Sequence, residues 1–156
     1  MTAEILVAEL TSMEEFFNRS TRPLAEEHSN YKPHEALYTV AQQVAHAGIT
    51  IEWLVDGALS PSGFNMDFEK DIAEAMSFTS LAAARARLKT AFENARKRVA
   101  ENPDVWATDF PPNPIMPGKK ANAIYACTDH TAHHRGALTV YTRMLGLVPP
   151  MPYMEM

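Results

Sequence analysis

The chain has 156 residues, of which 46% are apolar and 21% charged. That length fits one domain with its own core, and the composition excludes a disordered chain. Fourteen Lys and Arg against 19 Asp and Glu leave a net charge of −5, which argues against a protein that binds nucleic acid as a whole, since affinity for phosphate backbones comes mostly from cationic side chains.

The single cysteine, Cys127, cannot form an internal disulfide and fits a reducing compartment. The first ten residues carry acids where a secretory signal has a basic region. No run of about 18 apolar residues offers a membrane span. A cytoplasmic protein without membrane or nucleic-acid partners is expected.

The spacing of Leu6, Leu10, Met13, Phe17 and Leu24 predicts a first helix over about Thr2 to Asn30, kinked or restarted at Pro23. Ser29 to Pro33 is a loop. Thr39 and Gln42 then form a capping box for a second helix, with Val40, Val44, Ile51, Leu54 and Val55 as its apolar residues and Gly57 and Pro61 as its end. A short helix is expected around Phe68–Met76. A third long helix starts at Thr79 or Ser80 and runs to Asn102. Its stripe is Leu81, Ala84, Leu88, Ala91, Phe92, Ala95 and Val99, and its basic face reads as solvated.

Pro111, Pro112, Pro114 and Pro117 make residues 105–118 a loop. A fourth long helix is expected from about Lys119 to Leu145, stopped by Gly146. The tail from Val148 to Pro152 cannot be helical. Four long helices without period-two alternation predict an all-α fold, an antiparallel four-helix bundle forming one domain over residues 1–156.

Six histidines are present, three of them within five residues: His130, His133 and His134. On a helix, His130 and His134 stand one turn apart and point about 40° from each other. Such a pair can chelate one ion. Ala123, Ala126 and Ala137 share their stripe, with Tyr141 beyond, and small neighbours leave room for an ion and a ligand.

His46 sits within the second helix, seven residues after Thr39, on a stripe with Gln42, Ile49, Thr50 and Trp53. Alone, it reads as a core or boundary histidine satisfied by a hydrogen bond. With the pair it completes a composite metal site, His46, His130 and His134.

His133 points to the other flank and reads as a hydrogen-bonded neighbour. Cys127 reads as a small buried hydrophobe, and His28 and His34 have no assigned role. Trp53 and Tyr141 are core residues by default and the candidates to line a substrate pocket. Glu52, Asp129 and Tyr141 are the candidate acid or base groups.

Three imidazoles leave coordination positions open, as catalytic sites do, whereas structural zinc is usually closed by four protein ligands. Imidazole suits zinc, nickel, iron and copper, with zinc or nickel the expected metal. Thr131 follows His130 where a zinc-protease motif places Glu, and no Gly-x-Ser-x-Gly elbow occurs. The competing reading is a non-catalytic metal-binding protein or a dimeric stress-response module.

The run from Asp129 to Gly136, His-x-x-His-His-Arg-Gly at its centre, continued from Leu138 to Gly146, resembles the last-helix signature of the DinB-like (DNA-damage-inducible-type) superfamily. Tyr31-Lys32-Pro33, the Thr39 cap and His46 are similar to its first-ligand segment in order and spacing. Ala137 stands where a Gln is usual, and Leu37-Tyr38 where a Trp is common.

The resemblance implies a four-helix bundle with His46, His130 and His134 as metal ligands, and a homodimer. It also implies the chemistry of relatives that are thiol-dependent transferases and isomerases. In these a divalent ion activates a low-molecular-weight thiol such as mycothiol or bacillithiol, or water.

Overall fold

Five α-helices account for nearly all regular structure in this computed structural model, which describes residues 2–154. Met1, Glu155 and Met156, the ends of the expected domain, lie outside the described residues. The helices are α1 (Ala3–Thr21), α2 (Val40–Leu59), α3 (Glu69–Ser77), α4 (Leu81–Glu101) and α5 (Asn122–Met144). No strand forms among the described residues, and one isolated bridge pairs Asp109 with Lys119. No helix among the described residues is long and apolar enough to cross a membrane.

Each helix ends for a local reason. Helix α1 stops at Thr21, shorter than the periodicity predicts, because Pro23 lacks the N–H that the next turn needs. Leu24 nevertheless stays buried, so the apolar stripe outlasts the helix. A 3-10 turn follows at Glu26–His28. Its Glu26 carboxylate and Ser29 hydroxyl accept from the N–H groups of Ala82 (2.7 Å) and Leu81 (2.8 Å), satisfying donors that open α4. His28 and His34 serve as local caps, each accepting a backbone N–H at Nδ1, from Ala25 (2.9 Å) and Ala36 (3.1 Å).

The capping box of α2 is present. Thr39 accepts from Gln42 N at 3.3 Å, and Gln42 Oε1 accepts from Thr39 N at 2.9 Å. Gly57, expected to help end α2, lies inside the helix. It is there for space: the Phe64 ring lies where its Cβ would be. Gly146 closes α5 at φ +78°, with Gly146 N bonded to Arg143 O and Leu147 N to Thr142 O, both at 3.0 Å.

The four long helices share one core. Leu6, Leu10 and Phe17 of α1, Val44 and Ile51 of α2, Leu88 and Phe92 of α4, and Ile124 and Leu138 of α5 are all buried in it. Each such side chain contributes about 1.5–3 kcal/mol relative to exposure. The proline-rich segment adds a member that periodicity could not predict. A 3-10 turn at Val105–Ala107 drives Trp106 fully into the core, where its Nε1 donates to Val99 O at 3.1 Å.

Helix α2 packs on α4 and α5, and α1 packs on the same two. The expected antiparallel packing holds for two of these pairs. Along α2 and α5, Gln43 meets Tyr141 while His46 meets His130, so the two run in opposite directions. Helices α1 and α4 do likewise, with Glu14 bonded to Arg96 and Thr21 to Arg85. The other two pairs run in parallel. Gly48 meets Leu88 and Asp56 meets Arg98 across α2 and α4. Glu9 meets Thr128 and Phe16 meets Arg135 across α1 and α5.

Parallel neighbours need a link that travels back the length of the bundle. Residues 60–80 provide it, descending along α2 with Phe64 against Gly57, Asn65 bonded to Trp53 and Met76 bonded to Gln42.

The basic face of α4 proves to be more than a solvated face. Arg85 caps the carbonyls of Thr21 and Leu24, Arg87 bridges Glu52 and Glu74, and Arg96 pairs with Glu14. Only Lys89 and Lys97 of that face point into solvent, paired within their own helix.

Helices α2 and α4 approach closely at Gly48, where an added Cβ would lie 3.0 Å from Leu88 Cα. Gly136 on α5 has open space at the same position. Gly48→Ala is therefore expected to destabilise the fold by about 1–3 kcal/mol, and Gly136→Ala to stabilise it by about 0.4–1 kcal/mol. Urea unfolding of both variants checks the opposite signs; a Gly48→Ala protein as stable as the parent would remove the close contact from the account.

Candidate metal centre

Opposed helices bring the histidines together. On α5, His130 and His134 face the same way one turn apart, and α2 lays His46 across them. Each of the three offers one ring nitrogen, and these lie within 4.8 Å of one another. Nε2 of His130 and Nε2 of His134 are 3.2 Å apart. The ring centroid of His46 is 5.2 Å from that of His130 and 4.9 Å from that of His134.

Burial sets the charge of the cluster. His134 is 6% exposed, and the other two are half-buried. Desolvation, reinforced by the neighbouring imidazoles, pushes His134 down to about 3 and His130 down to about 4. Desolvation also lowers His46, against the opposing pull of Asp71. At neutral pH the three rings are uncharged, the form in which imidazole binds a metal.

The donor set fits a divalent ion. Nδ1 of His46 is buried and has no hydrogen-bond partner, an arrangement that costs about 1–3 kcal/mol when nothing compensates it. Nδ1 of His130, also without a partner, lies across its ring from the Nε2 that faces His134. Two donors 3.2 Å apart can share one ion at the usual nitrogen bond length of about 2.0–2.1 Å. All three ligands of the expected set, His46, His130 and His134, could hold a metal ion together.

A residue the sequence reading passed over stands behind the cluster. Gln43, one turn before His46 and buried, bonds to His134 through Oε1 and Nδ1. Its Nε2 donates to the Tyr141 hydroxyl at 3.3 Å, and that hydroxyl donates to the Tyr38 carbonyl at 3.1 Å. The signal was there: of the two amides between Val40 and Ala47, Gln42 is spent in the capping box, which leaves Gln43 among apolar neighbours on the turn that carries His46. Tyr141, expected to offer its hydroxyl to a ligand pocket, instead holds Gln43.

The remaining candidates fall elsewhere. His133 is exposed, its ring edge-on to His134 at 5.0 Å, and it is not one of the clustered donors. Cys127 is fully buried, and desolvation pushes its thiol up to about 12, so it is protonated. Asp129 is exposed to solvent. Glu52 bonds Arg87 at 2.6 Å and Asn94 at 3.4 Å, tying α2 to α4.

Trp53 lines a cleft of about 610 Å³ between α2 and the returning segment, whose walls include Asp71 and Ile49 but none of the three histidines. Its indole donates to Asn65 O at 2.7 Å and leans on Phe64 and Phe68. Ile49 follows His46 by one turn, so the cleft begins beside the cluster.

Because the folded values of His130 and His134 lie below the 6.5 of a free histidine, the unfolded chain binds more protons between those values, and stability rises with pH in that window. Metal-free protein is expected to hold full stability above pH 6.5 and to lose it progressively towards pH 4. His134→Ala should flatten that slope. Chemical unfolding across the window checks this; an equal slope in parent and variant would contradict a buried neutral His134.

No curated protein matches the chain. The family described as the DinB family matches residues 3–156, which include both helices that carry the histidine cluster, and the chain belongs to that family.

Proposed function

We propose that this chain is a divalent-metal-dependent enzyme, a thiol-dependent transferase or isomerase of the DinB-like type. His46, His130 and His134 hold its ion. The observation that carries this reading is the composition of the cluster: three neutral imidazoles from two helices, and no carboxylate or thiolate with them among the described residues. Three protein ligands leave positions for water or substrate, as in catalytic sites. Zinc or nickel suits an all-imidazole set.

A bound divalent ion would supply a Lewis acid that favours deprotonation of a coordinated thiol or water and polarises a carbonyl. The chain's own residues do the rest. Desolvation keeps the three imidazoles unprotonated. Gln43 holds His134, and Tyr141 holds Gln43. The cleft beside His46 gives a low-molecular-weight thiol and its electrophilic partner a place to lie, with Trp53 as its apolar wall. Protonated Cys127 is buried away from this chemistry, so the nucleophile is a bound thiolate or water.

The protein is further proposed to work as a homodimer in the cytoplasm. Exposed Phe68, Ile72 and Met76 along α3, and Val140 and Met144 on α5, support a self-association surface. The second reading, a non-catalytic metal-binding or stress-response module, uses the same three histidines and differs only in turnover.

Protein purified without a histidine tag and without chelators is expected to carry about one divalent ion per chain, as three convergent imidazoles would bind it. His130→Ala and His134→Ala should lose it. Elemental analysis reads this directly, and parent protein that neither carries nor takes up zinc or nickel sinks the site. With metal, a low-molecular-weight thiol and a panel of electrophiles, turnover is expected in the parent and not in His130→Ala. Metal uptake without turnover by any member of the panel would favour the module.

A further inference from the structure

Three hydrogen bonds behind His134 have only one consistent direction. The Tyr38 carbonyl can only accept, so the Tyr141 hydroxyl donates to it. That hydroxyl is then free to accept, and it accepts a hydrogen bond from the Gln43 amide N–H. The amide is thereby oriented with Oε1 towards His134 Nδ1. An amide oxygen can only accept, so Nδ1 carries the ring proton and Nε2 carries the lone pair. Nε2 is the atom that faces Nε2 of His130.

We propose that Gln43 is a positioning residue of the metal centre, and that the chain Tyr38 carbonyl, Tyr141 hydroxyl, Gln43 amide fixes His134 in the tautomer whose Nε2 lone pair points at the cluster. The proposal rests on the metal-binding reading above, but its hydrogen-bond part does not depend on metal.

Its chemical content lies in the choice of an amide. A carboxylate behind a ligating histidine also orients the ring, but it adds negative charge and raises the ligand's basicity. Gln43 orients without charge. Since the three rings are neutral as well, a divalent ion held there keeps its full double charge within these contacts. Such a centre favours an anionic further ligand, a thiolate, hydroxide or carboxylate, over a neutral one.

The register of the bundle makes the chain of bonds feasible. Tyr38 precedes the Thr39 cap of α2, Gln43 lies one turn into that helix, and antiparallel α5 brings Tyr141 level with both. Tyr31 packs edge-on against the Tyr141 ring at 6.1 Å and steadies it from the preceding loop. The hydroxyl of Tyr141 is thus held by backbone at one end and by a buried amide at the other.

Two measurements test it on the full chain. Long-range proton–nitrogen spectra of the metal-free protein should show His134 protonated at Nδ1 and bare at Nε2. Gln43→Leu, similar in size but without an acceptor, should release the ring to the other tautomer or to a mixture. Tyr141→Phe removes only a hydroxyl and should do the same in part, and it serves if Gln43→Leu does not fold.

Competition with a chromophoric chelator then reads zinc affinity. Gln43→Leu should bind about 10–100-fold more weakly than the parent, whereas Gln43→Glu, which keeps an acceptor in place, should restore most of the loss. A parent His134 protonated at Nε2, an unchanged tautomer in both variants, or equal zinc affinity in the parent and Gln43→Leu would overturn the proposal. So would equal losses in Gln43→Leu and Gln43→Glu. If the parent takes up no zinc at all, the metal reading fails, while the spectra still decide the hydrogen-bond chain.

Discussion

The contact between α2 and α5 is the constraint on which the rest depends. Three imidazoles have to be removed from water, each with polar nitrogens that are costly to bury unpaired. One comes from residue 46 and two from the stretch 130–134, so helices far apart in sequence must stay in register to within a fraction of a turn. A slip of one residue along either helix would turn His46 about 100° away from its partners. The cluster therefore demands a rigid frame, and much of the molecule can be understood as that frame.

Rigidity comes from packing first and from charge second. Gly48 lets the backbone of α4 press against α2 just beyond His46, which fixes the axis of the helix that carries it. The Arg87 fork to Glu52 and Glu74 then ties α2, α4 and the returning segment near the cleft. Such partly exposed ion pairs contribute little each, about 0.2–1 kcal/mol. Their value here is geometric, because a bridging arginine resists sliding where a single surface pair would not. On the other side, Trp106 is buried in the core and donates to Val99 O, anchoring the approach to α5, which carries His130 and His134.

What was legible in the sequence follows what is local. The extents of most helices came from 3.6-residue spacing, the cap of α2 from Thr39 and the start of α4 from Thr79 or Ser80, because these depend on neighbours a few residues away. The pairing of His130 with His134 is equally local. That His46 would meet them needed the tertiary register, and there the alanines around the pair and the family resemblance pointed the same way as the fold. The misses have a common cause. Parallel packing of α2 with α4 depends on where residues 60–80 travel, which no periodicity encodes. Trp106 is isolated among turn-forming residues, so no stripe announces its burial. Gln43 is an ordinary helix former until Tyr141, ninety-eight positions away, arrives opposite it.

Of these misses, only Gln43 reaches the site itself. The charged groups that sequence alone offers for chemistry, Glu52 and Asp129, are in the event an interhelical tie and a solvated side chain. The groups lined up behind the cluster are uncharged: the Gln43 amide on His134, the Tyr141 hydroxyl on that amide, and the Tyr38 carbonyl on that hydroxyl. That division is physically economical. Charges placed towards the surface of the bundle set the register of its helices at less desolvation cost than buried ones, since they keep partial contact with water. Neutral groups placed inside satisfy one another without demanding a counter-ion. A centre of this kind leaves its charge to be set by whatever binds there, and its selectivity to the shape and polarity of the cleft that begins one turn beyond His46.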